Sequence, residues 1–354
     1  MDIPSLVSEL LQNAERHRAS DIHLHQTPQG LSISFRLDGL LTEVKTLDLE
    51  TGERVIGRIK YLARLKTYQS SLPQDGRIEK AASGTSQDIR VSTYPTVTGE
   101  KLVLRLFSGL STPVFEELHF KPSVTEALLQ ALRQPSGLIL LTGPAGSGKT
   151  STIYAALSFL SKCLKKQIVT IEDPVEQVIP GVTQTEVKEL LGLTFASAAK
   201  HVLRQDPEVL VIGEIRDEET ARTAVRAALT GHLVIATLHG GSCHGVIERL
   251  LNFDPDRHAI SQSLLLIINQ RLLRSFCPHC HGSKCEKCLH TGYLGRIPIV
   301  ELLHKSESLA RYVQDRNAPI PELKQTLLKE GQDLVSQNKT SSVELSRVMG
   351  DPPQ

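Results

Sequence analysis

Along the first hundred residues the apolar positions change period several times. From Ser5 to Arg18, Leu6, Leu10 and Ala14 recur four apart, the stripe of an amphipathic helix. Ala19 to His25 and Leu31 to Leu37 then alternate apolar and polar, as half-buried strands do, and Asp38-Gly39 supplies a hairpin turn into Leu40 and Leu41. A helix is predicted around Gly52 to Ala63, turns over Leu72 to Arg77, and two further strands over Asp88 to Thr93 and Lys101 to Phe107. The pattern predicts a small α+β domain over residues 1–107. Ser108 to Pro113 is the loosest stretch in a linker spanning 108–117.

From Leu118 onward helical and apolar segments alternate. Lys121 to Gln134 reads as a helix, and Leu138 to Leu141, Gln167 to Ile171, Glu208 to Ile212 and His232 to Leu238 read as strands with helices between them. Such alternation predicts an α/β domain over residues 118–354, built on a mostly parallel, helix-covered sheet. The part after Gly245 is expected to be helical.

The second domain carries a recognisable phosphate loop. Gly143-Pro144-Ala145-Gly146-Ser147-Gly148-Lys149-Thr150 matches G-x-x-x-x-G-K-[ST], and a strand delivers it to the helix that begins with Ser151. Unpaired N–H groups and the positive helix end would face the phosphates there. Lys149 would reach the β/γ-phosphates and the Thr150 hydroxyl would ligate Mg²⁺.

Three more strands end in polar groups, at the sheet edge where α/β proteins bind ligands. Ile168 to Ile171 runs into Glu172-Asp173, and a carboxylate there would orient the attacking water, hold Mg²⁺ through water, or simply begin a solvated loop. Val209 to Ile212 runs into Gly213-Glu214-Ile215-Arg216-Asp217. Here glycine stands where an aspartate is usual, so Glu214 takes the metal side alone, and Arg216 and Asp217 would pair or start a solvated helix. The third strand lies between His232 and His239, and His239, at its carboxyl end, is the candidate to meet the γ-phosphate.

Composition narrows the partners. Lys+Arg 40 against Asp+Glu 39 leaves a net charge of +1, without the basic excess of a nucleic-acid binder, so no direct nucleic-acid binding is expected. Met1 to Ser5 lacks the basic start of a secretory signal, and the apolar run Leu264 to Ile268 is too short to span a bilayer. A cytoplasmic protein is expected, docked at the membrane only through a partner. Six cysteines in that compartment point to metal or reduced thiols rather than disulfides. Four form two C-x-x-C pairs, Cys277/Cys280 and Cys285/Cys288, a spacing that can close a tetrahedral Zn²⁺ site; His279, His281 or His290 would replace a cysteine if the short loop strained it. Cys163 and Cys243 stand apart from this pattern.

The phosphate loop, Ile-Glu-Asp-Pro-Val-Glu (171–176), Gly-Glu-Ile-Arg-Asp (213–217) and Thr-Gly-His…Leu-His (230–239), in that order, resemble the secretion ATPases of the type II/type IV pilus class. Ala19-Ser20-Asp21-Ile22-His23, Pro73 to Arg77 and Arg90-Val91-Ser92…Val103-Leu104-Arg105 resemble the N-terminal domain of the same family. The resemblance implies a hexameric ring whose subunits pair a PAS-like N-terminal domain with a RecA-like P-loop domain. It also implies ATP hydrolysis that works on an inner-membrane platform protein, from the cytoplasmic face of the cell membrane. Residue by residue, Glu172 matches the general base, Glu214 the Walker B glutamate and His239 the γ-phosphate histidine. Arg90 and Arg105 match arginines that approach the triphosphate on domain closure, and Arg77 is similar in kind. Thr291 to Arg296 resembles the segment after the metal loop of assembly motors, whose knuckles usually enclose a longer insertion.

Within the family, the cysteine knuckles and the short N-terminal part make the competence pseudopilus ATPase of Gram-positive bacteria the expected machine. Type II secretion and pilus extension or retraction are the alternatives. A DNA-translocating motor and a non-catalytic nucleotide-gated scaffold are the readings from other classes.

Overall fold

The computed structural model describes residues 2–106, 113–253, 256–315, 317–323 and 325–350. The centre of the expected linker, 108–112, lies outside the described residues, as does Phe107. The chain divides into two compact units, residues 1–111 with 274–295, and 112–273 with 296–354.

The N-terminal unit is built on a six-stranded sheet. It contains α1 (Ile3–Arg16), β1 (Asp21–Thr27), β2 (Gly30–Leu37), β3 (Leu40–Leu47), α2 (Leu49–Leu62), β4 (Gln74–Ile78), α3 (Lys80–Ser83), β5 (Ile89–Thr96) and β6 (Gly99–Leu106), in sheet order β3-β2-β1-β6-β5-β4. Asp2 caps α1 by accepting from Ser5 N at 3.1 Å, and Asp48 caps α2 by accepting from Thr51 N at 2.9 Å. The stripe of α1 that faces the sheet is Val7, Leu11 and Ala14, one position round from the predicted one, with Leu6 and Leu10 at its margin. Together with Val55, Ile56 and Ile59 of α2 it covers Ile22, Leu24, Phe35, Leu102 and Leu104 on one sheet face. Asp38 and Gly39 turn β2 into β3 with positive φ at both residues, 48° and 91°, as a type I′ hairpin requires. The stretch expected as turns, Leu72 to Arg77, instead contributes the edge strand β4, paired with β5. The run Gln74-Asp75-Gly76-Arg77 has no apolar position to alternate, so it conceals a strand with little to bury.

The second unit holds α4 (Pro122–Leu132), β7 (Gly137–Thr142), α5 (Lys149–Cys163), β8 (Ile168–Glu172), β9 (Thr183–Glu186), α6 (Phe195–Val202), β10 (Val209–Ile212), α7 (Glu218–Leu229), β11 (Leu233–Thr237), α8 (Cys243–Phe253) and α9 (Arg257–Ser263). Then follow β12 (Leu264–Phe276), β13 (Tyr293–His304), α10 (Glu307–Gln314), α11 (Leu327–Ser336) and α12 (Ser342–Met349). Its seven-stranded sheet runs β13-β12-β7-β11-β10-β8-β9, with every neighbouring pair from β12 to β9 parallel. Alternate strand residues feed two cores. Leu138, Leu140, Val169, Ile171, Leu210 and Ile212 pack with α6 to α9, while Ile139, Leu141, Ile168, Val209 and Val211 pack with α4 and α5. This is the mostly parallel sheet, covered by helices on both faces, that the alternation predicts.

The region after Gly245 corrects the helical expectation, because the long strands β12 and β13 interrupt it. Leu264 to Ile268 is buried nearly throughout, and a continuous apolar run of that length carries no period that separates strand from helix. Both strands cross the boundary between the units, and the cysteine segment between them groups with the N-terminal unit rather than with the second one. Within that unit Gly295 N donates to Asp38 Oδ2 at 2.8 Å and Leu289 packs at the edge of the core.

Candidate functional site

The parallel sheet sets the site. Because β7, β11, β10 and β8 are consecutive neighbours, the phosphate loop, His239, Glu214 and Glu172 follow four adjacent strands at one carboxyl edge. The loop between β7 and α5 needs its glycines: φ is 143° at Gly143, 74° at Gly146 and 90° at Gly148. A Cβ on Gly143 would lie 2.4 Å from the Gln270 carbonyl and 2.5 Å from Ser147 Oγ. Thr150 and Ser151 sit exposed in the first turn of α5, whose leading N–H groups have no helical partner. Ser147 Oγ is buried without a hydrogen-bond partner. A glycine cradle, an orphaned hydroxyl and a free helix N-terminus together fit a bound polyphosphate.

Lys149 Nζ donates to the Gly143 carbonyl at 2.7 Å and the Pro144 carbonyl at 3.0 Å. Burial pulls its pKa below the ordinary lysine range, with Glu214 opposing and Arg271 reinforcing the shift. Glu214 Oε1 lies 2.9 Å from His239 Nε2, and its Oε2 accepts from Arg216 Nε at 2.8 Å. Arg216 also reaches Asp173 at 3.3 Å, so it ties the acids that follow β8 and β10. Asp217 is a helix cap, accepting from Thr220 N at 2.8 Å. His232, at the opposite strand end, has Nδ1 3.1 Å from the Ala227 carbonyl and stays clear of this edge.

Glu172 is buried, and its carboxylate is fully engaged on one oxygen. Oε1 accepts from Thr170 Oγ1 at 2.5 Å and Gln184 Nε2 at 2.9 Å, and Oε2 accepts from the Tyr154 hydroxyl at 2.7 Å. Tyr154, Gln184 and Gln270 escaped sequence reasoning. Gln270, buried under the loop, accepts from Thr152 Oγ1 at 2.9 Å. Its signal was present, since Asn269-Gln270-Arg271 interrupts an apolar strand with three polar residues.

The remaining candidates belong to the N-terminal unit. Arg90 on β5 and Arg105 on β6 are exposed on the sheet face opposite the core, and Arg105 Nε donates to Asp21 Oδ1 at 3.0 Å. In the same unit Cys277, Cys280, Cys285 and Cys288 place all four sulfurs within 4.8 Å of one another. The 277–285, 280–288 and 285–288 pairs are 4.0, 3.8 and 3.7 Å apart. Four thiolates at about 2.3 Å from one tetrahedral zinc would be about 3.8 Å apart, so the set fits that ion without a histidine. Cys288 Sγ also accepts from Cys285 N at 3.4 Å and Gly292 N at 3.3 Å; against the opposing effect of burial these donors bring its pKa down to about 6. Cys163 is exposed, and Cys243 is buried.

The model for the type II/IV secretion system protein family matches residues 2–347. The chain belongs to that family. It is 38% identical over 380 aligned positions to type II secretion system protein E of Dickeya dadantii, covering 97% of this chain and 75% of that one. With the type II secretion system ATPase E of Vibrio cholerae it shares 36% over 378 positions, covering 98% and 75%. Among solved structures it is similar to the pilus retraction motor PilT with bound ADP, at TM-score 0.68 and 27% identity over 98% of this chain and 97% of that one. DotB of Legionella pneumophila, at TM-score 0.73 and 20% identity over 98% and 95%, shares the fold. The chain is thus an ATPase of the type II secretion and type IV pilus class, a family whose chemistry requires ATP and Mg²⁺. Among the described residues no helix is long and apolar enough to cross a membrane.

Proposed function

We propose that this secretion-family ATPase powers assembly of a pseudopilus, that the machine is the competence pilus for DNA uptake, and that Glu172 activates the attacking water. The observation that carries the catalytic assignment is the shared carboxyl edge, where the phosphate loop, Glu172, Glu214 and His239 succeed one another on neighbouring strands. Gly143 to Ser151 cradle the triphosphate, with Lys149 swinging from the loop carbonyls to the β/γ-phosphates. Thr150 would hold Mg²⁺ directly, with Glu214 on its outer side, and the ion would supply positive charge to offset that of the phosphates. His239, held by Glu214, meets the γ-phosphate. Arg90 and Arg105 bring further positive charge when the domains close, turning hydrolysis into motion.

The working form is a homo-hexamer at the cytoplasmic face of the membrane, acting on an inner-membrane platform protein, with a structural Zn²⁺ in the four-cysteine set. The knuckle favours an assembly motor over a retraction motor. The identity to type II secretion proteins E favours the second reading, a secretion pseudopilus. Deleting the gene separates them. Loss of transformation with intact secretion supports competence, and the reverse supports secretion. For the chemistry, Glu172→Gln is expected to abolish turnover of the purified protein while ATP binding persists; undiminished turnover would remove Glu172 as the base.

A further inference from the structure

Glu172 does not choose its own orientation. Gln184 Oε1 accepts from Ile179 N at 2.6 Å, and because a backbone N–H only donates, the amide nitrogen must be the end turned to Glu172. That same nitrogen reaches the Gln177 carbonyl at 3.0 Å, so the amide is held on both sides. Tyr154 is fixed by the same logic. Its oxygen accepts from Gln177 N at 3.3 Å, which leaves its proton for Glu172 Oε2. Burial, reinforced by Glu172, pushes the phenol pKa well above its ordinary value, so the hydroxyl remains a donor throughout the neutral range.

Tyr154 also stands four residues after Thr150, on the same helix face as the residue that meets the nucleotide. The helix that receives the phosphates therefore carries the hydroxyl that holds the base.

We propose that Tyr154 and Gln184 are positioning residues for hydrolysis: they clamp the Glu172 carboxylate in the orientation from which it takes the proton of the attacking water, and Tyr154 passes movement of the phosphate-loop helix to it. The proposal rests on the reading of Glu172 as the general base. With Thr170 they supply three donors, which leaves one of the carboxylate's four acceptor positions, on Oε2, for water. A purely structural role would satisfy the same buried groups without any effect on the chemical step.

The test compares Glu172→Gln, Tyr154→Phe and Gln184→Glu in the full chain, with thermal melting and binding of a non-hydrolysable ATP analogue measured beside turnover. Tyr154→Phe is expected to lower kcat by about 10- to 100-fold with analogue affinity unchanged, the cost of a base displaced by a fraction of an ångström. Gln184→Glu keeps the side-chain shape but sets a second carboxylate against the first. Two carboxylates in one site raise a pKa, so its rate should recover only at higher pH and the acid limb of its pH–rate profile should move up. Inactive Glu172→Gln with wild-type kcat and pH profile in folded Tyr154→Phe or Gln184→Glu would overturn the clamp and leave the base in place. Active Glu172→Gln would remove the base and the clamp with it.

Discussion

Arg90 and Arg105 face each other directly across β5 and β6. The row continues on both sides, Arg77 opposite Arg90, Asp21 opposite Arg105, and Arg36 opposite Asp21, so five adjacent strands present four arginines and one aspartate. Like charges directly opposite repel, and Asp21 answers two of them, at 3.0 Å from Arg105 Nε and 3.3 Å from Arg36 Nε. Asp88 pairs with Arg77 in turn, so carboxylates offset the row at more than one place.

Replacing Asp21 by Asn should therefore cost about 2 kcal/mol, since it removes charge-assisted bonds from a buried carboxylate. The loss should shrink as salt screens the arginines, which urea titrations at two ionic strengths would measure. Arg90→Ala and Arg105→Ala should lower the ATPase rate with nucleotide affinity retained, and Arg105→Ala, which takes a partner from buried Asp21, should also lower stability.

A buried ion pair offers a cleaner stability test. Lys60 Nζ bonds both oxygens of Glu100, at 2.9 and 3.0 Å, and the Gln69 carbonyl at 2.7 Å, holding the segment after α2 against the sheet. Lys60→Met leaves Glu100 buried and uncompensated and should cost about 3–5 kcal/mol. The double variant Lys60→Met/Glu100→Leu should regain most of that loss in the same denaturant titration.

The four-cysteine set should bind about one zinc per chain, and Cys277→Ala/Cys280→Ala none, by metal analysis after gel filtration. Acidification protonates the thiolates and should release the ion, with release read by a zinc indicator as pH falls.

At the phosphate loop, Gly143→Ala meets both a left-handed backbone and the Gln270 carbonyl. Strain of about 1–3 kcal/mol is expected, read as weakened ATP-analogue binding. Gly241→Ala, with open space around its added Cβ, is the control and should bind normally.

How much of this was legible follows from what each residue had to do. The phosphate loop is readable because backbone geometry dictates its glycines, and the strand-end acids because a parallel sheet sends every such end to one edge. Tyr154 was not, since a tyrosine in a helix buried from Thr152 to Ser158 looks like core until its hydroxyl finds Glu172. Gln184 belongs to a four-residue polar edge strand with no periodicity to report it. The short cysteine loop looked strained by its length alone, yet five positive-φ residues in and just after it, His281, Gly282, Lys284, Leu289 and His290, fold it tightly enough to gather the sulfurs.

The passage of residues 274–295 into the N-terminal unit has a consequence for the order of synthesis. The first unit emerges from the ribosome long before the piece that donates to Asp38 and packs Leu289 at its core edge. Until residue 295 has been made, that unit lacks part of its own contact set, so a fragment cut at residue 111 is an unfinished domain rather than a free-standing one. The ATPase sheet must lay down β12 before the first unit is complete, and β13 can close the sheet's edge only afterwards. Maturation of the two halves is interleaved, although each has its own core.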